Sequence, residues 1–345
     1  MSIIVNNTTI ENVYFNGREL DTILYNGEIV YETEVYNTDN TTYILLENNT
    51  DQDIDIQNSG LALRFVARGN SVIEYKRIYA DGTESGVIHG TSVSSGSSST
   101  ALLNITTKTF QTPITTLGVG EKIYLMIRGG AIYTSSNQVP IVTTTTPTTL
   151  AADLVTRVIL GNNTYQSASV PMNYLVQGLT NIKYLYISKQ YTGIRITDLP
   201  KLRILRWEEN PTANRNMYQI VGTALETIRL PSNITQVTGK FSNNTELTSV
   251  YIPNKTCKID TNGLFQGCTK LKDVYIWTTS SQTNPSSQGA NSLSKSWVLD
   301  HPNPDECTIH LSSSLNAETA AAKFGAYFNV VDTTGRTVNT VFDLN

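Results

Sequence analysis

Ile182-Lys-Tyr-Leu-Tyr-Ile187, Leu202-Arg-Ile-Leu-Arg-Trp207, Leu225-Glu-Thr-Ile-Arg-Leu230, Leu247-Thr-Ser-Val-Tyr-Ile252 and Leu271-Lys-Asp-Val-Tyr-Ile276 are five versions of one phrase. Each has an apolar lead, two variable residues, an apolar residue, one variable residue and a second apolar residue. They begin at 182, 202, 225, 247 and 271, so successive copies lie 20, 23, 22 and 24 residues apart. Val155-Thr-Arg-Val-Ile-Leu160 is a looser copy before them, and Cys307-Thr-Ile-His-Leu311 follows after a longer excursion. A period of roughly 20 to 29 residues carrying one short strand is the mark of a stacked repeat. One unit cannot bury its own apolar residues, so neighbours must stack into a solenoid.

The segments between the strands narrow the type. Phe241-Ser-Asn-Asn-Thr-Glu-Leu247 and Phe265-Gln-Gly-Cys-Thr-Lys-Leu271 place an aromatic residue six positions before the next lead, and Pro follows the strand at Leu230-Pro231 and Ile252-Pro253. This resembles the BspA-like leucine-rich repeats over a little under half the chain. The resemblance implies a leucine-rich-repeat solenoid over 151–345. It also implies a C-terminal cap: the strand Thr308–Leu311, an alanine-rich helix from Ala317 to Phe324, and a last strand within Tyr327–Val331.

Side chains alternate along a strand, so the residue between two inward apolar positions faces outward. Stacking the copies lines up Ile159, Tyr186, Arg206, Arg229, Tyr251, Tyr275 and His310. Tyr184, Ile204, Thr227, Ser249 and Asp273 form a second row. Tyrosine and arginine concentrated on one face are side chains that bind well, through large area and directed hydrogen bonds. The candidate binding residues are therefore Tyr184, Tyr186, Arg206, Arg229, Tyr251, Tyr275 and His310. The competing reading is that cross-strand Tyr and Arg ladders only stabilise a solvated sheet.

Upstream, the chain reads as mainly β. Val13-Tyr-Phe-Asn-Gly17 and Ile23-Leu-Tyr-Asn-Gly27 are a duplicated phrase. Asn-Gly between apolar residues signals a two-residue hairpin, because both turn positions take positive φ. Two hairpins or a four-strand meander are expected over 1–32, a unit too small to close a core alone. The phrase resembles the N-terminal modules of bacteriophage virion proteins from tail and head appendages. The residues that carry the likeness are Val13, Phe15, Asn16, Gly17, Ile23, Tyr25, Asn26, Gly27, Val30 and Tyr31. That resemblance implies attachment to the particle through Val13, Phe15, Asn16, Gly17, Tyr25, Asn26, Gly27 and Tyr31.

Residues 33–142 hold seven or eight short alternating segments, among them Tyr43–Leu46, Leu61–Val66, Val72–Ile78, Lys122–Ile127 and Ala131–Tyr133, separated by turns such as Ala80-Asp-Gly82 and Arg128-Gly-Gly130. That spacing predicts a β-sandwich, immunoglobulin-like or of jelly-roll type. The Thr/Pro run 143–150 lacks apolar alternation and is expected to link the sandwich to the repeats.

Composition bounds the function. With 345 residues, 39% hydrophobic, 16% charged and a net charge of −4, the chain is globular and lacks the basic face that nucleic acid requires. Three cysteines, Cys257, Cys268 and Cys307, do not make a disulfide framework and read as buried thiols, with pairing of Cys257 and Cys268 left open. No phosphate loop, nucleophile elbow, His-Glu-x-x-His motif or metal-ligand spacing occurs, so no cofactor, no metal and no catalysis are expected. Glu208 with Glu209, and Asp51 with Asp53, could serve a glycan-degrading enzyme only across a cleft of ~5 to 9 Å. The N-terminus lacks the features of a secretory signal, and no run is long enough to span a bilayer.

The expectation is thus a structural protein of a bacteriophage virion: tail fibre, tail-tip or collar, or head fibre or decoration protein. Its partners would be other virion proteins, further copies of itself in a homo-oligomer, and a host-surface protein or glycan. A BspA-type bacterial surface adhesin is the alternative, and a glycan-degrading appendage enzyme the third reading.

Overall fold

A computed structural model describes residues 41–57, 63–94, 101–105, 110–133, 153–161, 164–165, 179–187, 193–208, 215–237, 239–253, 257–259, 263–277, 304–312, 318, 321 and 328–338, and short strand backbones between 3 and 32. The chain divides into two units, Met1–Thr38 and Asp39–Asn345.

In the first unit the described backbones form three antiparallel hairpins. They join Ile3–Val5 to Thr8–Ile10, Tyr14–Phe15 to Arg18–Glu19, and Thr22–Tyr25 to Glu28–Glu32. The pairs Phe15↔Arg18 and Tyr25↔Glu28 close over two intervening residues, the Asn-Gly positions of the duplicated phrase. Val5↔Thr8 closes likewise, a hairpin that the duplicated phrase does not announce. Val13, Asn16, Gly17, Asn26 and Gly27 themselves lie outside the described residues.

The second unit begins as an antiparallel sheet. Leu63–Ile78 pairs with Ile88–Ser94 and Ala101–Ile105 on one side and with Lys122–Tyr133 on the other, and Lys122–Tyr133 also pairs with Thr41–Glu47. Two expected breaks are absent. Leu63–Ile78 runs unbroken for 16 residues, and Arg128-Gly-Gly130 is a bulge inside Lys122–Tyr133, with Gly129 at φ 65° taking up the register shift. A bulge keeps the strand paired while adding a residue, which the sequence reads as a turn. The turn at Ala80-Asp-Gly82 is present, with Gly82 at φ 83° and the Thr83 N–H donating to Asp81 Oδ1 at 2.9 Å.

The expected sandwich is not confirmed. One face of the sheet buries Ile44, Leu46, Ile73, Tyr75, Ile123, Leu125 and Ile127. They belong to one apolar core that takes in Ile56, Phe110, Ile114 and Leu117 and continues through Val155 and Val158 into the repeat strands; Ile54–Asp55 and Thr116–Leu117 meet in a two-residue ladder, Thr116↔Asp55 and Leu117↔Ile54. Phe110 meets the Tyr75 ring edge-on at 4.7 Å, and the Tyr75 hydroxyl donates to Thr112 O at 3.0 Å. Alternation along a strand requires that one face be covered and is silent about what covers it.

The sheet does not stop where a boundary was expected. Thr41–Glu47 pairs antiparallel with Val155–Leu160, which pairs in parallel with Tyr184–Ile187 and then Ile204–Trp207. Hydrogen bonding is thus continuous from the antiparallel region into the first repeats, although 143–150 lies outside the described residues. Every side chain of Val155–Leu160 is buried, as expected of a strand covered on both faces.

From there the chain is a β-solenoid-like stack. Thr227–Arg229, Ser249–Ile252, Asp273–Ile276, Thr308–Leu311 and Val330–Asp332 pair in parallel and in register, so that Ile228, Val250, Val274, Ile309 and Val331 lie one above the next. The first four are fully buried, each contributing roughly 1.5 to 3 kcal/mol. A second parallel sheet, which the phrase did not announce, is built from Gly193–Thr197, Arg215–Val221, Ile234–Val237 and Lys258–Ile259.

The turns from this rear sheet toward the front strands pass through Asp198, Gly222, Asn243 and Gly267, all at φ between 58° and 77°. Asparagine, aspartate and glycine tolerate that left-handed conformation better than other residues. At Gly267 a Cβ would also meet Asn243 Oδ1 of the turn below, so any other residue there would have to move that side chain as well as adopt the left-handed φ. The Phe241 and Phe265 rings lie 6.2 Å apart inside these turns, tilted by 42°, and the three cysteines are buried thiols outside any disulfide. At the C-terminal end Glu318 and Ala321 are helical, and the last described strand, Val330–Asp332, overlaps the expected Tyr327–Val331 and runs one residue past it.

Candidate binding face of the repeat sheet

Because Ile228, Val250, Val274 and Ile309 point into the stack, the residue after each points out. Arg229, Tyr251, Tyr275, His310 and Asp332 occupy one register line across five strands. Their side chains touch in sequence. The Arg229 guanidinium lies 5.9 Å from the Tyr251 ring centroid, Tyr251 stacks on Tyr275 at 4.5 Å and 10°, and Tyr275 stacks on His310 at 4.5 Å and 7°. Ring spacing this close to the strand separation is what in-register parallel strands impose. The next row holds Thr227 and Ser249, whose hydroxyls are 3.0 Å apart, and Asp273.

His310 closes the line. Its Nε2 is 2.9 Å from Asp273 Oδ1 and its Nδ1 is 3.1 Å from Asp332 Oδ2. Asp332 also accepts from the Thr334 N–H at 2.9 Å and from the hydroxyls of Thr334 and Thr337 at 2.8 and 3.1 Å. Burial works to raise the Asp332 carboxyl, but the bonds from Thr334, His310 and Thr337 outweigh it and hold the group at about 2. The Tyr275 hydroxyl is pushed above its usual range by burial first, then by the nearby Asp273 and Tyr251. Burial pushes the Cys307 thiol up to about 12, with the Asp273 charge adding to it, and the Cys257 and Cys268 thiols up to about 12 and about 11. Thiols so shifted are packing groups rather than nucleophiles.

Of the expected ladder, Ile159 is fully buried and so does not face outward, and the other six residues fall into two groups. Arg229, Tyr251, Tyr275 and His310 lie together as described. Tyr186 and Arg206 are half-buried and face each other in register on the larger sheet, which among the described residues ends at Ile204–Trp207. Between the two sheets the Trp207 indole donates to Arg229 O at 2.6 Å. Tyr184 does not face solvent: it is 3% exposed, with the Arg157 guanidinium 4.9 Å from its ring. Alternation assigns it a side of the sheet, and in this region both sides are covered.

Asp332 was not among the expected residues, yet it stands 22 residues after His310, one repeat period on. Of the expected attachment residues, Phe15, Tyr25 and Tyr31 lie in the hairpin strands, and the others fall outside the described residues. Among the described residues, no group of three or more His, Cys, Asp or Glu side chains is arranged to hold a metal ion, and no helix is long and apolar enough to cross a membrane. In comparisons with known proteins, no family model, curated protein or solved structure matches the chain.

Proposed function

We propose that this chain is a non-catalytic structural protein of a bacteriophage virion, joined to the particle by its N-terminal hairpins and presenting its solenoid face to another surface. The observation that carries the binding half is the row Arg229–Tyr251–Tyr275–His310–Asp332, a continuous line of stacked aromatic and charged side chains across five strands. What supports the attachment half is the duplicated Asn-Gly hairpin phrase at 13–17 and 23–27.

The stacking also limits how a partner can be recognised. Tyr275 has a ring on each face, and Tyr251 lies between Tyr275 and the Arg229 guanidinium. A sugar ring therefore cannot lie flat on them, and a partner meets ring edges, hydroxyls and the Asp273 carboxylate. The face thus suits a host-surface protein, or a glycan read through its hydroxyl groups.

Two experiments test this. Mass spectrometry of purified particles should find the chain in the virion, and removing residues 1–32 should leave a folded protein that no longer joins particles. Assembly of the truncated chain would refute the attachment role, and recovery of the full chain from a bacterial envelope instead of particles would favour an adhesin. Replacing Tyr251 and Tyr275 together by Ala should lower adsorption to host cells about tenfold or more, the scale of a lost binding anchor. Circular dichroism should stay unchanged. Unaltered adsorption would remove the face from the mechanism.

A further inference from the structure

His310 is 13% exposed and has a carboxylate oxygen within hydrogen-bond distance of each ring nitrogen, Asp273 Oδ1 at 2.9 Å and Asp332 Oδ2 at 3.1 Å. An ionised carboxylate only accepts. A neutral imidazole has a single N–H, whereas the imidazolium has two. Both contacts are therefore satisfied together only when the ring is charged, and the three residues sit on three adjacent strands, Asp273–Ile276, Thr308–Leu311 and Val330–Asp332.

We propose that His310 is a proton-operated latch: with its ring charged it ties three strands together and holds the tyrosine row in order, and on losing a proton it releases Asp273 and lets the row loosen. This adds regulation to the binding face proposed above and rests on that reading for its biological consequence, though not for its physics.

The direction of release follows from the surroundings. Asp332 is 16% exposed and has three further donors from Thr334 and Thr337, so it is ill placed to face a bare nitrogen lone pair. Asp273 is 38% exposed, and water can replace the histidine there. The one remaining N–H therefore stays on Nδ1, toward Asp332. The unprotonated Nε2 then faces a carboxylate oxygen 2.9 Å away, and the repulsion turns Asp273 outward. His310 loses its restraint on that side, and with it the fixed angle of its stack on Tyr275.

On these strands and the described segments flanking them, the other titratable and charged groups are Lys272, Tyr275, Asp305, Glu306, Cys307 and Arg336. Tyr275 stacks on it from the neighbouring strand, Cys307 lies buried in the segment leading into its own strand, and Arg336 lies in the turn after Asp332. The Tyr275 hydroxyl and the Cys307 thiol are both pushed upward and Asp332 is held at about 2, so none of these three changes charge between about pH 5 and pH 8. The linkage has one sign: the latch is complete on the acid side and is lost as pH rises.

The test uses the full chain without any partner. Nitrogen-15 NMR of the His310 ring should show protons on both nitrogens at about pH 5 and on Nδ1 alone at about pH 9. Amide exchange of residues 308–311 and 330–332, corrected for intrinsic rate, should be about tenfold faster at the higher pH. Asp273→Asn supplies the control, because an amide can donate to a neutral Nε2 where a carboxylate cannot. That variant should keep its stack at both pH values and lose the pH dependence. A single ring N–H at about pH 5, equal corrected exchange at both pH values, or an unchanged pH dependence in Asp273→Asn would each overturn the latch. All three are read without host cells, so a failed adsorption assay and a failed latch are separate outcomes.

Discussion

Replacing Phe265 by Ala is expected to lower unfolding stability by about 3 to 5 kcal/mol, the range for deleting a buried aromatic side chain. Phe265 is fully buried and lies at 6.2 Å from Phe241, so its ring fills the turn layer between two repeats. The site has little freedom to collapse. The Phe265 carbonyl accepts from the Cys268 N–H at 3.0 Å, the Gln266 carbonyl accepts from the Asn243 N–H of the repeat below at 2.8 Å, and Gly267 already touches that repeat's turn. A cavity that cannot relax keeps its full cost. In a stacked array a weakened interface is shared with its neighbours, so the loss should appear as a lower urea midpoint for the whole stack with little change in slope. A midpoint within experimental error of the wild-type value would mean that the aromatic layer is not part of the continuous interior.

That interior was the most legible part of the fold. The phrase repeats every 20 to 24 residues, and its inward positions are in register with their neighbours within each sheet, from Leu185 to Leu205 and from Ile228 to Val331. The reason is physical: a front strand has one dry side, and its side chains must alternate. The rear sheet was illegible by the same logic. Arg215-Asn-Met-Tyr-Gln-Ile-Val221 and Lys258-Ile259 carry no clear alternation, and nothing in their composition separates them from loops. A better signal was present in the turns. Asp198, Gly222, Asn243 and Gly267 recur at the repeat period and are the residue types that accept positive φ.

The antiparallel region shows a different limit. Its strands are recognisable one by one, but a strand's sequence does not name its partner. The joining of Thr41–Glu47 to Val155–Leu160 spans more than a hundred residues and a Thr/Pro run that reads as a boundary. For the candidate site, the row from Arg229 to His310 followed from register alone. The burial of Tyr184 did not, because it depends on Arg157 of the preceding strand. Nor did the pairing of His310 with two carboxylates, because Asp332 belongs to a strand expected to end one residue earlier.

Asn244 carries the second large expectation. It is fully buried, and its amide is fully used: Nδ2 donates to Ile220 O at 2.9 Å and Phe241 O at 3.0 Å, and Oδ1 accepts from the Thr223 N–H at 2.9 Å and the Thr223 hydroxyl at 2.8 Å. It thereby ties its own turn to the turn of the previous repeat. Asn244→Ala removes all four bonds and opens a small void, and stranding buried backbone groups should cost about 2 to 4 kcal/mol. The Phe241 carbonyl makes a finer test possible, because the Cys268 thiol of the following repeat also donates to it, at 2.8 Å. Cys268→Ala alone leaves that carbonyl with Asn244, and Asn244→Ala alone leaves it with the thiol. Only the double variant deprives it of both, so its loss should exceed the sum of the single losses by about 1 kcal/mol. Urea denaturation of the four proteins measures that difference. Additivity within about 0.3 kcal/mol would show that the asparagine and the thiol do not share the Phe241 carbonyl as a common acceptor.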